Sequence, residues 1–349
     1  MGTWTRTAAS PLQARTKATT VWTGREVLVF GGTVWTGTNV RTKSASSHLV
    51  RDGAAYDPVG DTWRPIASTP SAWPPGPTAV VDRTVYLLKG HRGAQELWSY
   101  SPEKDRWRRL AEPLATAGSF DGIVATRSGL FAWQRLTPRD HPSEDQVYDI
   151  DTGTWSRPPA NPRAVGEDRR VTSTPDGRVV SVGVPYEPDW HLRAQGPRPL
   201  MRASILDPDA ARWRPTGTGD LFLGSYFGGW GAAGGMVVRA STKTLGDKKP
   251  GDAAGRGPTG ALLDPVSGTW IALPGRPSER QAGQASEYDA TAWGGDYAIF
   301  EGWALDVPHM RWQVVPRLPH DDHGRSGATW VGRSLFLDGW LWTPGPTTN

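Results

Sequence analysis

Three groups of residues in this 349-residue chain carry side chains fit for chemistry. Glu287 and Asp289 flank Tyr288, and Arg325 follows further along. Paired carboxylates with an arginine suit general acid–base work on a sugar, or the holding of a polar ligand. The plainer alternative is that polar residues belong on any solvent-exposed loop. His320, Asp321 and His323 form the second group, with Asp322 between them, because imidazole and carboxylate together suit zinc, manganese or iron. Adjacent ligands cannot all converge on one ion, so such a site needs donors from elsewhere, and a solvated turn is the alternative. The third group is Glu187, Asp189 and His191, which share one side if the segment is extended. It sits in a proline-rich stretch and has the same two readings.

These residues hang on a repeat. An aromatic residue or Leu, usually followed by Asp-Pro, precedes a Trp by seven positions, and does so six times. The pairs are Tyr56 and Trp63, Tyr100 and Trp107, Tyr148 and Trp155, Leu206 and Trp213, Leu263 and Trp270, Leu305 and Trp312. Successive tryptophans are 44, 48, 58, 57 and 42 residues apart. A period of that size marks a repeat architecture. Upstream of each anchor runs an apolar strand such as Val27-Leu28-Val29-Phe30, which ends in Gly31-Gly32. A smaller strand precedes that one, so each unit has four short strands, with a tight Asp-Pro turn between the third and fourth. The Trp is expected to pack on the neighbouring unit, which a lone four-stranded sheet needs.

The last unit lacks its Trp. Trp342 stands in the anchor position, and seven residues on the chain ends at Asn349. Gly2-Thr3-Trp4 matches Gly153-Thr154-Trp155 and Gly268-Thr269-Trp270, so the N-terminal segment is expected to be the outer strand of the last blade.

Composition agrees with an all-β reading. Apolar residues make up only 37% of the chain, yet 19 Trp supply a core, and 42 Gly with 31 Pro supply many turns. The net charge of +4, from 39 basic and 35 acidic residues of interspersed sign, points away from specific nucleic-acid binding. No apolar run is long enough to span a membrane. The N-terminus has no apolar signal-peptide core, so the compartment reads as cytoplasmic, or as extracytoplasmic if a leader has been removed.

The repeat, its anchors and the diglycine resemble the kelch family, especially bacterial kelch-repeat proteins, over essentially the whole chain. The resemblance implies a seven-bladed β-propeller, with blades at about 12–67, 73–111, 118–160, 165–216, 222–273, 280–315 and 320–345 plus 1–8. Kelch propellers include binding scaffolds and unrelated enzymes. Galactose-oxidase-like members use a Cys–Tyr crosslinked copper cofactor, which a chain with no Cys cannot make. Plant specifier proteins bind iron through Glu, Asp and His spaced by three residues, and no such spacing occurs here. Sialic-acid mutarotases use Arg and Glu on the axial face, but no distinctive motif ties this chain to them.

In such a ring, the loops from second to third strand and from blade to blade share one face, whose axial mouth is the expected ligand site. The second-to-third loops are long at 33–52, 183–200 and 240–259, and short in the last two blades, which predicts a groove. The basic loops of blades one and five suit the attraction of an anionic polymer or glycan; the favoured alternative is that they are flexible, solubilising segments. Ligand-binding candidates on this face are Arg15, Trp73, Asp121, Asp168, Arg169, Tyr226, Tyr288, Trp303 and Trp340. Exposed Trp beside acids and Arg holds sugars by stacking; alternatively the rings cover the loops' own apolar surface. Trp22, Trp293 and Trp330 share a slot at the end of the inner strand and read as packing. The expected activity is a monomeric binding scaffold for a carbohydrate, peptide or partner protein. The alternative is an enzyme acting on a sugar or small molecule, by acid–base chemistry at Glu287, Asp289 and Arg325 or with a divalent metal.

Overall fold

The seven-residue spacing between anchor and Trp is the span of one hairpin. Tyr56 lies directly across from Trp63, Tyr100 from Trp107 and Tyr148 from Trp155. Their ring centres stand 5.1, 5.0 and 5.1 Å apart. In the other hairpins Leu206, Leu263 and Leu305 face Trp213, Trp270 and Trp312.

The computed structural model describes residues 2–39, 44–72, 76–90, 94–116, 118–134, 144–162, 167–184, 202–207, 211–217, 228–241, 260–274, 292–300, 303–316, 318 and 327–345. Strand β1 (Thr3–Arg6) belongs to the last blade. Blade one comprises β2 (Thr19–Trp22), β3 (Val27–Phe30), then a ribbon of β4 (Thr33–Asn39) and β5 (Ser44–Leu49), then β6 (Gly53–Asp57) and β7 (Thr62–Ile66). Blade two is β8 (Thr78–Val81), β9 (Thr84–Lys89), β10 (Glu96–Ser101) and β11 (Arg106–Arg109). Blade three is β12 (Gly122–Ala125), β13 (Gly129–Trp133), β14 (Gln146–Asp149) and β15 (Thr154–Ser156). Blade four is β16 (Glu167–Ser173), β17 (Val179–Val184), β18 (Arg202–Asp207) and β19 (Arg212–Pro215). Blade five is β20 (Gly228–Ala233), β21 (Met236–Ser241), β22 (Gly260–Leu263) and β23 (Trp270–Ala272). Blade six is β24 (Ala292–Gly294), β25 (Tyr297–Phe300), β26 (Trp303–Asp306) and β27 (Arg311–Val314). Blade seven is β28 (Thr329–Val331), β29 (Ser334–Leu337) and β30 (Trp340–Thr343), completed by β1.

Each blade is a four-stranded antiparallel sheet, and the inner strands lie side by side from β8 round to β28 and on to β2. The chain is a seven-bladed β-propeller. Second strands are buried along their whole described length in blades one and three, because each is covered by a blade on either side. Outer strands such as Arg106–Arg109 bury little beyond their Trp side.

The registers align one row of residues across every blade. In blade one the row is Trp22, Val27, Tyr56, Trp63, and in blade two Val80, Val85, Tyr100, Trp107. In blade seven it is Trp330, Leu335, Trp342, Trp4. The inner end of the row faces the preceding blade. A Cβ on Gly231 of blade five would stand 2.0 Å from the Trp293 ring, and one on Gly294 of blade six 3.0 Å from Trp330. Glycine there is what lets the indole close the gap between inner strands.

The outer end of the row does the same work by hydrogen bonding. The indole N–H of Trp63 donates to Ala8 O at 2.9 Å, Trp107 to Ala67 O at 3.0 Å and Trp155 to Ala111 O at 2.9 Å. Trp213 donates to Pro159 O at 2.9 Å, Trp312 to Pro274 O at 2.8 Å and Trp4 to Pro316 O at 2.7 Å. Every acceptor is the residue four past the preceding blade's own Trp. Blade five alone differs, with Trp270 directed at Thr216 Oγ1 at 3.4 Å. In blades one and two the same acceptor residue also donates its N–H, Ala8 to Asp61 Oδ1 at 2.8 Å and Ala67 to Asp105 Oδ1 at 2.7 Å. The Ala8 bond, with that from the Tyr56 hydroxyl at 2.8 Å, holds the Asp61 carboxyl below the usual carboxylate range. Burial, with Asp61 beside it, pushes the Tyr56 hydroxyl up.

Closure follows the expectation from the sequence. Strand β1 pairs with β30 from Thr3 opposite Thr343 to Arg6 opposite Trp340, and Trp4 takes the place across from Trp342. The last blade then packs onto the first, with Phe336 5.7 Å from the Tyr56 ring centre.

Candidate functional site

Among the described residues, the loop face carries one element outside the blades. Thr16 and Thr33 exchange backbone bonds at 2.9 and 2.8 Å, in the same register that pairs β2 with β3. The long 33–52 connection is therefore a two-stranded ribbon, prolonging the second and third strands, where a solubilising loop was expected. The diglycine makes the join. Gly31 and Gly32 have φ of 65° and 96°, and a Cβ on Gly32 would meet Thr16 O at 2.8 Å.

On the ribbon, Trp35 lies across from Ser47 and Thr33 from Leu49, so Trp35 and Leu49 share a face. Trp35 is 54% exposed and Leu49 37%. The Trp35 N–H donates to Thr16 Oγ1 at 3.2 Å, which fixes the indole while leaving its surface to solvent.

Beneath the ribbon, Arg15 is 3% exposed. Its guanidinium binds both Asp52 oxygens at 2.9 and 2.8 Å and the carbonyls of Gln13, Gly31 and Asp52. The Arg15 hydrogen bond holds the Asp52 carboxyl below its ordinary range. Arg169 has a similar setting between blades three and four. The register of β16 shifts between Glu167 and Arg170, so Asp168 and Arg169 sit in a bulge. Arg169, 1% exposed, reaches back to Asp145 at 2.9 and 2.6 Å, to Gln134 O at 2.9 Å and to Ser181 Oγ at 3.0 Å.

The residue just before a third strand thus anchors the start of an inner strand. Asp145 does so through Arg169, and Gln95 through both backbone groups of Phe120, accepting at 2.7 Å and donating at 3.3 Å. Residue type alone does not reveal the glutamine, because its role depends on standing one residue ahead of β10.

The other expected site residues divide plainly. Asp121 is exposed at the start of β12, its N–H donating to Trp133 O at 2.9 Å. Trp303 opens β26 and is buried. Trp340 is half-buried, with the Arg6 guanidinium 5.9 Å from its ring centre. Glu287, Tyr288, Asp289, Arg325, Trp73, Tyr226, His320, Asp321 and His323 lie outside the described residues, as do Glu187, Asp189 and His191. So do most of the long loops of blades four and five, and with them the expected groove. Among the described residues, no group of three or more His, Asp or Glu is placed to hold a metal ion, and no helix is long and apolar enough to cross a membrane.

The opposite face, formed by the first-to-second-strand turns, holds a cavity of about 520 Å³. Its polar lining includes Arg127 and Asp176, with the hydroxyls of Thr126, Ser173 and Thr174. Asp176 is paired with Arg178 and accepts from the Thr174 hydroxyl. Compared with protein-family models and with curated proteins, the chain matches none.

Proposed function

We propose that the protein is a kelch-type binding scaffold that recognises a carbohydrate or a partner polypeptide on its loop face, with the blade-one ribbon as the first contact. The observation that carries this reading is the ribbon itself. It stands outside the blades, is fixed at its base by the Thr16 bridge, and presents Trp35 and Leu49 to solvent on one face. An indole with its single donor already engaged offers its apolar ring surface to stacking. Ser47, its cross-strand partner on the same face, is exposed and supplies a hydrogen-bonding hydroxyl. The repeat anchors, the diglycine join and the N-terminal closure support the kelch reading of the frame.

The test is a screen of the intact protein on a glycan array and a peptide array, repeated with Trp35→Ala and Leu49→Ser. Ligands found with the parent protein should be retained about tenfold less by Trp35→Ala, in line with the loss of one stacked aromatic and its buried area. The unfolding midpoint should stay unchanged, since the ring is outside the blade core. Ligands held equally well by both variants would overturn the role of the ribbon.

A further inference from the structure

The second strand of the ribbon has an open edge. Thr33 turns its N–H and C=O to Thr16, at 2.8 and 2.9 Å, and so away from β5. Leu49 lies across from Thr33 and Ser47 across from Trp35, so both turn theirs away from β4. Further along the same edge, Arg51 O accepts from the Thr69 N–H at 2.8 Å, in the chain that follows β7. Past that bond, among the described residues, β5 is paired with β4 alone.

The edge is also unguarded. Unpaired strand edges are normally blunted by charge, proline, a bulge or brevity. The outer strands of the blades follow that rule. Five of them, β1, β7, β11, β19 and β27, carry Arg6, Arg64, Arg106, Arg212 and Arg311. The other two, β15 and β23, are three residues long. In the ribbon, β4 is bulged between Trp35 and Gly37 and held at its base by the Thr16 bridge. Strand β5 has six residues, Ser44–Leu49, with no arginine, lysine or proline. Two strands standing by themselves are marginal in water, and a third with an apolar face stabilises them.

We propose that β5 receives an extended segment of a partner polypeptide as a third strand, which names the partner in the loop-face reading and rests on that reading. The N–H and C=O groups of Ser47 and Leu49 make the backbone pairs. Residues of the added strand opposite them project on the face of Trp35 and Leu49, so the segment is apolar at every second position. Residues 33–51 include Arg41, Lys43 and Arg51 and no acid, and Asp52 just beyond is taken up by Arg15. Acidic residues therefore suit the positions between the apolar ones. The same charge makes a second copy of the chain a poor occupant, since two basic ribbons repel each other.

A phage-displayed library of random twelve-residue peptides, panned against the intact chain, tests this. Selected peptides should be apolar at alternate positions. Ser47→Pro should bind them at least about tenfold less tightly than Ser47→Ala, which loses only the hydroxyl. Proline is tolerated on a free edge, so the unfolding midpoint of Ser47→Pro should stay that of the parent. Methylating the backbone nitrogens of a selected synthetic peptide should abolish binding for one alternate set of residues and spare the other, a result that needs no variant of the protein. Peptides lost by Trp35→Ala yet indifferent to Ser47→Pro and to methylation would overturn strand addition while leaving the ribbon as the contact. Peptides indifferent to Trp35→Ala as well would overturn the loop-face reading with it. A library that yields no peptide, or a dimer of the chain that Ser47→Pro dissociates, would also overturn the proposal.

Discussion

Removal of residues 1–8 is expected to lower the unfolding midpoint by about 5–10 °C and to broaden the transition. The segment provides strand β1, whose four residues pair with β30, and the Trp4 indole that donates to Pro316 O at 2.7 Å. It also covers Trp342, which is fully buried and against whose ring Gly2 is packed. Uncovering a large core aromatic is worth about 3–5 kcal/mol on the scale of truncation experiments. Blade seven would be left as a three-stranded sheet with β30 as a bare edge, and concentration-dependent aggregation should accompany the loss. Thermal unfolding followed by tryptophan fluorescence and by light scattering reads both effects. A shortened chain with the same midpoint and sharpness would mean that the ring is held by something other than its N-terminal strand.

A second large effect is expected at Arg169. With Asp145 7% exposed and Arg169 1% exposed, the pair is buried between blades three and four. Arg169→Ala leaves the carboxylate there without its guanidinium, at a cost of about 3–5 kcal/mol. Arg169→Met with Asp145→Leu removes both charges and should recover most of that loss, because an apolar pair of similar volume is often as stable as the ion pair. Denaturant unfolding of the parent, single and double variants measures the difference. An Arg169→Ala variant as stable as the parent would show that the guanidinium is not structural, and would return Arg169 to the ligand-binding candidates.

The spacing of seven between anchor and Trp was enough to find the ring, because that spacing is the span of one tight hairpin with the anchor and the Trp opposite each other. The empty position after Trp342 likewise pointed to Trp4. The outer tryptophans were legible as packing residues, but not as donors. Their acceptors are backbone carbonyls four residues past the previous Trp, which no residue type marks. Arg15 and Arg169 were read as ligand groups from type and loop position. Their partners Asp52 and Asp145 stand 37 and 24 residues away in sequence, and only the fold shows that each guanidinium is taken up by a carboxylate. The slot of Trp22, Trp293 and Trp330 was visible in the sequence, yet the turn-face cavity is bordered by the same slot in the other four blades, at Val80, Ala125, Ser173 and Ala232. Small residues such as Ala125 and Ala232 carry no signal until the registers align them with the tryptophans.

The frame on which both faces depend can be tested by one covalent link. The chain has no cysteine, so a pair introduced at Thr5 and Leu341 has no competing thiol. These two residues are direct cross-strand partners in β1 and β30. A ring closed by its N-terminal strand predicts that Thr5→Cys with Leu341→Cys oxidises nearly completely as a monomer, and that the oxidised form unfolds at a higher temperature than the reduced one by an amount consistent with about 2–4 kcal/mol. Thiols that stay free in the folded protein, or that crosslink only between molecules, would contradict the closure.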